Sequence, residues 1–139
     1  MKIIEEGLLK PMTDADIEQV EDEKVTEILN GILLRSTKNA DGSIDVDGDV
    51  DLFNLNLKKL PLKFNRVNGN FDCYKNQLTS LEGAPNAVGG DFYCSFNQLI
   101  SLEGVPKKVG RDFWIGYNKS KFTEKQVRTI CNVKGNVCV

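Results

Sequence analysis

The residues of this chain that could do chemistry are mainly carboxylates, and they have few catalytic companions. The 139 residues include no histidine, which removes the commonest general base and metal ligand. No serine or cysteine lies in a nucleophile-elbow pattern, and no glycine-rich phosphate loop follows an expected strand. Val88-Gly89-Gly90 is a turn between repeated units. The sequence therefore predicts a protein without catalytic activity and without a cofactor.

Closely spaced aspartates between positions 41 and 51 could instead bind a metal ion. The spacing Asp45-x-Asp47-x-Asp49 supplies the first three ligand positions of an EF-hand calcium loop. The next position of that loop requires glycine and holds Val50, and its last position requires glutamate and holds Asn56. Because the pattern fails at both positions, and the cysteine spacings match no zinc motif, we expect no metal site.

The four cysteines are interpreted as thiols rather than ligands. Cys73 and Cys94 share a repeat position with aliphatic residues, which indicates small core side chains. Cys131 and Cys138 lie near the end of the chain, and a disulfide between them stays open. We expect a reducing, intracellular location, since no apolar run approaches membrane-spanning length and the first residues lack the apolar centre of a signal peptide.

Carboxylates and aromatic rings recur at a fixed separation of 21 residues. If Phe92 and Cys94 face a core, then Asp91, Tyr93 and Ser95 face outward from the same strand. Equivalent positions in the other units would bring rings and acids together on one surface. The candidate partner-binding residues are Phe53, Tyr74, Tyr93, Trp114, Asp51, Asp72, Asp91 and Asp112.

This surface has the composition of a protein-binding site. Exposed rings anchor interfaces, and carboxylates beside them favour a protein or peptide partner that carries Lys or Arg. Phosphate backbones would be repelled, so no direct nucleic-acid binding is expected there. Four strands span only about 15 Å, which suits a peptide, a helix or one protrusion of a partner. The alternatives are that the N-terminal segment covers the rings, or that the rings stack on each other across strands.

A repeat of 21 residues, without insertion or deletion, must position these side chains. A fixed period in the low twenties predicts a solenoid in which each unit forms one coil. The repeat extends from Val46 to Asn118. Its apolar columns are Val46, Val67, Val88 and Val109; Val50, Phe71, Phe92 and Phe113; Leu52, Cys73, Cys94 and Ile115; Leu57, Leu78 and Leu99; and Leu60, Leu81 and Leu102.

Each unit is predicted to contain one short strand followed by a polar position. Alternation at Phe92 and Cys94 has a period of two, which indicates a strand with both side chains inward. Asn76, Asn97 and Asn118 follow the strands. Their amides are expected to satisfy backbone groups inside a turn and to form a ladder along the stack.

These units resemble leucine-rich repeats. The family pattern L-x-x-L-x-L-x-x-N-x-L is met at Phe92, Cys94, Asn97 and Leu99, although its first leucine is replaced. The phrase Asn-Gln-Leu-Thr-Ser-Leu-Glu-Gly-Ala-Pro at 76–85 is similar to leucine-rich-repeat-like proteins common in tailed-phage genomes. The resemblance implies an α/β-type repeat solenoid of about four coils, with short parallel strands, a mostly irregular convex side and helical caps at both ends.

The chain is divided into an N-terminal helical cap with a turn-rich segment (1–45), the solenoid (46–118) and a C-terminal cap (119–139). Residues 1–40 carry nine acidic and five basic side chains, whereas 119–139 carry one acidic and five basic side chains. Solenoids need caps at their open ends. An acidic partner-binding helix and a basic contact for an anionic surface are the alternatives to simple capping.

A helix is predicted in each cap. Thr13 can begin the first helix, whose apolar residues continue at helical spacing to Leu33, although Asn30-Gly31 could end it sooner. Residues 123–126 form a capping box that predicts a second helix ending at about Cys131.

The expected function is non-catalytic protein–protein interaction. Net charge is only −2, so bulk charge does not direct the chain to nucleic acid or membrane. The resemblance implies a phage-encoded protein that binds a host protein in the host cytoplasm. The alternatives are a structural or assembly accessory of the phage particle and, less consistent with the small net charge, an acidic DNA mimic. A monomer is expected, although association through strand edges stays open.

Overall fold

The computed structural model describes residues 23–139, and the expected helix start at Thr13 lies outside this range. Helix α1 (Glu23–Leu34) comes first, and helix α2 (Glu124–Ile130) lies near the end. The strands are β1 (Ser36–Lys38), β2 (Ile44–Val46), β3 (Val50–Asp51), β4 (Phe64–Val67), β5 (Phe71–Asp72), β6 (Ala87–Val88), β7 (Phe92–Tyr93), β8 (Lys108–Val109), β9 (Phe113–Trp114), β10 (Asn132–Val133) and β11 (Val137–Cys138).

The strands form two sheets on two sides of a solenoid. The first sheet has six strands in the order β1-β2-β4-β6-β8-β10, and the second sheet has five in the order β11-β9-β7-β5-β3. All neighbouring strands are parallel except β1 and β2, which form an antiparallel hairpin. Each coil gives one strand to each sheet, so the chain is a β-solenoid of stacked coils with a helix in each end region.

The stack contains features that the repeat pattern did not predict. Each coil has a second strand, which ends in the valine column and belongs to the first sheet. A fifth coil is formed by β10 and β11, which pair with β8 and β9. Val133 pairs with Val109 at a separation of 24 residues rather than 21, because α2 is inserted before the last coil. Stacking thus continues beyond the end of the sequence period.

The apolar columns of the repeat fill the space between the sheets. Phe71, Phe92 and Phe113 are fully buried, and successive ring centroids lie 5.7 and 5.1 Å apart. One face of α1 joins this core through Val25 and Leu29. The predicted inward positions are therefore confirmed, and one continuous core extends from the first helix to the last coil.

The two helices of residues 23–139 differ in how well the sequence predicted their ends. Helix α1 continues through Gly31 to Leu34, so Asn30-Gly31 does not end it. Helix α2 begins at the predicted capping box: the Thr123 hydroxyl accepts from the Gln126 N–H at 3.1 Å, and the Gln126 side chain accepts from the Thr123 N–H at 2.8 Å. Neither described helix has the length and apolar character that a bilayer crossing requires.

The asparagine ladder is confirmed. Asn97 is buried, and its Oδ1 accepts from the Leu78 N–H at 3.0 Å. Its Nδ2 donates to the carbonyl oxygens of Cys73 and Cys94 at 3.0 and 3.2 Å. The equivalent asparagines of the neighbouring coils repeat these bonds. Each amide therefore connects two coils where the sheet ladder ends.

Candidate partner-binding surface

The outer side of the second sheet brings the predicted acids and rings together. Asp51, Asp72, Tyr93 and Trp114 lie side by side on β3, β5, β7 and β9. The rings of Tyr93 and Trp114 stack with centroids 6.0 Å apart. We name this surface the acidic aromatic face; it comprises Asp49, Asp51, Asp72, Asp91, Asp112, Phe53, Tyr74, Tyr93, Phe96, Trp114 and Tyr117.

A longer line of rings follows the ends of the strands. Phe53 stacks on Tyr74 at 5.7 Å between centroids, Tyr74 contacts Phe96 at 5.2 Å, and Phe96 stacks on Tyr117 at 4.4 Å. The exposed fractions are 44% for Phe53, 42% for Phe96 and 77% for Tyr117. The rings therefore stack on one another, as one alternative held, and still present accessible apolar surface.

The positions of Phe96 and Tyr117 on this surface were not predicted from the sequence. Ser95 was expected to be the outward residue of its coil. Ser95 is instead only 5% exposed, because its short side chain lies beside ring-bearing neighbours. A signal for the missed rings exists, since each of the first four coils places one ring within the same window of two residues. These windows are Phe53-Asn54, Tyr74-Lys75, Ser95-Phe96 and Gly116-Tyr117.

A residue with left-handed backbone geometry lies three positions after the end of each of the strands β3, β5, β7 and β9. The φ angles are 54° at Asn54, 60° at Lys75, 56° at Phe96 and 58° at Tyr117. Asparagine tolerates this region, whereas lysine and aromatic residues rarely adopt it. The two rings thus occupy a position where a smaller polar residue would suit the backbone better.

One column of the acidic aromatic face also holds the coils together. Asp49 Oδ1 accepts from the Asn70 N–H at 2.7 Å, and Asn70 Oδ1 accepts from the Asp91 N–H at 2.8 Å. Asp91 Oδ1 accepts from the Asp112 N–H at 2.9 Å, and Asp112 continues the ladder into the fifth coil. Asp91 and Asp112 therefore stabilise the stack with one oxygen, in addition to carrying charge.

The carboxylates of the acidic aromatic face form no ion pair with any Lys or Arg of the described residues. Burial raises the pKa of the Asp72 carboxyl; the hydrogen bond from the Tyr74 N–H partly offsets this rise, and the charge of Asp51 adds to it. Burial also raises the pKa of Tyr93, helped by the hydrogen bond to Asp91 and by the surrounding carboxylates. Among the described residues, like charges thus accumulate on this face without an ion-paired cation, which favours a cationic ligand.

Ring stacking restricts how a cationic side chain could approach. A cation binds to the face of an aromatic ring rather than to its edge. Along the ring line, the inner faces contact the neighbouring rings, so open faces remain at the end rings, Phe53 and Tyr117. Basic groups would therefore contact mainly the carboxylates, while apolar groups would contact the ring edges.

The aspartates at 41–51 do not converge on one point. Asp45 Oδ1 accepts from the Asn65 amide at 2.8 Å, and Asp47 Oδ1 accepts from the Asn68 amide at 2.9 Å. The hydrogen bond from Asn65 is the main cause that lowers the pKa of Asp45. Within residues 23–139 the structure contains no cluster of three or more His, Cys, Asp or Glu arranged to hold a metal ion.

The disulfide left open between Cys131 and Cys138 is not formed, and all four cysteines are free thiols. Cys73 and Cys94 are fully buried, and burial raises the pKa of both. Burial also raises the pKa of Cys131 to about 11. Since the thiolate is the reactive form, these side chains serve packing rather than chemistry.

Open clefts flank the coils in the described part of the chain. A cleft of about 590 Å³ lies between α1 and the first coil, and Asp49, Asp51 and Phe53 of the acidic aromatic face form part of its wall. Another cleft, of about 300 Å³, lies on the outer side of the first sheet, where Arg66 and Lys108 flank Ala87. The two sheets thus expose opposite charges.

Comparisons of the chain with protein-family models, curated proteins and solved structures found no match. The class of protein is therefore defined by the coils themselves, as a parallel β-solenoid of about five coils.

Proposed function

We propose that this protein is a non-catalytic protein–protein interaction module that binds its partner through the acidic aromatic face. One observation carries the proposal: Phe53, Phe96, Trp114 and Tyr117 are exposed beside carboxylates that have no counter-ion among the described residues. Large exposed rings are the side chains on which interfaces depend, and unpaired carboxylates attract Lys and Arg.

The dimensions of the face limit the kind of partner. The face lies on the four parallel strands β3, β5, β7 and β9, and at about 4.8 Å spacing these give a length of roughly 15 Å. This length accommodates a peptide, a helix or one protrusion of a folded partner. A partner with basic side chains between apolar ones would match the carboxylates and the ring edges at the same time.

We further propose that the solenoid is of the leucine-rich-repeat type and phage-encoded, and that it acts on a host protein in the host cytoplasm. The support is the asparagine ladder at the family's asparagine position and the phrase at 76–85. A role as an accessory of the phage particle is the rival proposal, and the same experiment separates the two.

The test is affinity capture from host lysate with the full chain, followed by mass spectrometry and measured affinities for the captured protein. Trp114→Ala and Tyr117→Ala are each expected to weaken binding more than tenfold, since truncation of an anchoring ring typically costs about 2 kcal/mol. Ile100→Ser is the matched control, because Ile100 is exposed but lies outside the acidic aromatic face.

Three results would count against the proposal. Equal affinity of the wild type and both ring variants would exclude the acidic aromatic face as the binding surface. Copurification with virions, without capture of a host protein, would favour the accessory role. Binding through carboxylates also requires the affinity to fall as salt is added, so a salt-independent affinity would exclude their contribution.

A further inference from the structure

Within residues 23–139 the second sheet ends at β3 without a covering strand, whereas β1 covers the first sheet at the same end. The Val50 N–H donates to the Asn70 carbonyl at 2.8 Å, and the Leu52 N–H donates to the Asp72 carbonyl at 2.7 Å. These groups face β5. Backbone groups of successive strand residues point to opposite sides, so the N–H and C=O of Asp51 point away from the sheet.

Neighbouring groups at this edge already have partners. The Phe53 N–H donates to Asp51 Oδ1 at 3.1 Å, and the Arg35 guanidinium donates to the Asp49 carbonyl at 2.8 Å. Between them, the N–H and C=O of Asp51 form no hydrogen bond with the rest of the described chain. An exposed strand edge of this kind is a template for pairing with another chain.

The space beyond the edge fits one extended chain. The cleft between α1 and β3 has a volume of about 590 Å³. A strand residue occupies about 160 Å³, from its rise, the strand spacing and the separation of packed sheets. The cleft therefore holds about four residues of a strand, which is too little for a second copy of a sheet.

The two sides of the cleft differ in chemistry. Ile28 of α1 is half-buried on the inner side of the cleft, whereas Asp49 and Asp51 are exposed on the outer side. Lys24 and Arg35 also line the cleft. Side chains of a strand alternate between its two faces. An added strand would therefore place alternate side chains against Ile28 and the others beside the two carboxylates.

We propose that a partner's extended peptide adds to β3 as a sixth strand of the second sheet, with an aliphatic side chain toward Ile28 and Lys or Arg beside Asp49 and Asp51. Strand addition supplies main-chain hydrogen bonds, and alternate side chains supply specificity. The inference rests on the proposed function, because Phe53 and both carboxylates belong to the acidic aromatic face as well as to the cleft.

Amide hydrogen exchange, measured by NMR on the full chain, tests the free edge. The Asp51 N–H is expected to exchange as fast as an unprotected amide, whereas the Leu52 N–H, which is bonded to β5, is slowed at least about a thousandfold. Slow exchange at Asp51 in the isolated protein would mean that this chain already pairs with the edge, and it would overturn the proposal.

A random octapeptide library displayed on beads tests the occupant. Selected peptides are expected to alternate aliphatic and basic residues. One of them is then titrated into the wild-type protein and into the Asp51→Pro and Asp51→Ala variants. Asp51→Pro removes the outward N–H without removing a bond to β5, whereas Asp51→Ala removes only the side chain. We expect Asp51→Pro to bind at least tenfold more weakly than Asp51→Ala.

The outcomes distinguish strand addition in the cleft from partner binding on the acidic aromatic face. Equal binding by the two Asp51 variants, or a library that yields no peptide, overturns strand addition. Loss of host-protein binding by Trp114→Ala would still support the proposed function. If Asp51→Pro does not fold, slowed exchange of the wild-type Asp51 amide on adding the peptide decides instead. Unchanged exchange at saturating peptide counts against the proposal.

Discussion

Phe96 and Tyr117 sit at a left-handed backbone position that asparagine occupies in the first coil. The conformation costs roughly 1–2 kcal/mol for an L-residue other than glycine. Stacking between the rings returns about 0.5–1.5 kcal/mol, so folding alone gives little reason to prefer rings here. Residues that suit the backbone poorly, yet are exposed, are expected where binding selects them.

The charge of Asp72, on the acidic aromatic face, affects the free energy of unfolding. Burial raises its folded-state pKa above the ordinary 3.8, so the folded protein binds this proton more tightly than the unfolded chain. The resulting stabilisation is complete below the pKa that Asp72 has in the unfolded chain. It is lost as the pH rises through the pKa that Asp72 has in the folded protein. Asp72→Asn removes the penalised charge and keeps an oxygen that can accept from the Tyr74 N–H.

We therefore expect Asp72→Asn to raise the free energy of unfolding at pH 7 by about 0.5 kcal/mol, a small value because the side chain is partly solvated. The gain should shrink as the pH falls toward the ordinary pKa of aspartate. Urea denaturation of both proteins at several pH values measures this difference. A gain of equal size at all pH values would show that the charge of Asp72 is not its cause.

Among the elements, the asparagine turns hold the coils in register. The side chain of Asn97 satisfies the Leu78 N–H and the carbonyls of Cys73 and Cys94 in a buried site. Leaving a buried backbone group without a partner costs about 1–3 kcal/mol. The turn between strands therefore depends on one amide more than on the residues around it.

Asn97→Ala is expected to lower the free energy of unfolding by about 3 kcal/mol, since several buried groups lose their partner at once. Asn118→Ala is the matched control, because Asn118 makes the same kind of bonds in a half-buried position. Chemical denaturation should therefore show a smaller loss for Asn118→Ala. Equal losses would mean that burial does not set the cost.

For the whole molecule, the sequence predicts the features that recur in each coil. It does not predict the features that depend on backbone geometry. The period gives the core columns and the asparagine ladder, because identical residues stack at identical positions. In the first sheet, β6, β8 and β10 each have two residues of which only the valine is buried, so no alternation marks them in the sequence and their pairing reveals them. Phe96 and Tyr117 were missed because their direction depends on φ. Gly31 failed to end α1 because packing of that helix on the first coil outweighs its low propensity.

One core joins all five coils. The reaction rates of the cysteines can show whether the coils unfold together. Cys73 and Cys94 lie in neighbouring coils and are fully buried, so alkylation in native buffer should label both at one common rate, set by global unfolding. Cys138, which is half-buried in the last coil, should react first. Mass spectrometry of the labelled sites measures these rates. Different rates for Cys73 and Cys94 would mean that coils open one at a time.

Because the repeated coils stack in one uninterrupted register, the length of the solenoid can change only in steps of one coil. The hydrogen bonds of the asparagine and aspartate ladders lie within one coil or connect it to an adjacent coil, so a duplicated unit of 21 residues would find the same partners on both sides. Each added unit would extend the acidic aromatic face by about 4.8 Å. In an evolving gene, the reach of the binding surface can thus change in whole coils by duplication or deletion, while the core and both ends stay as they are.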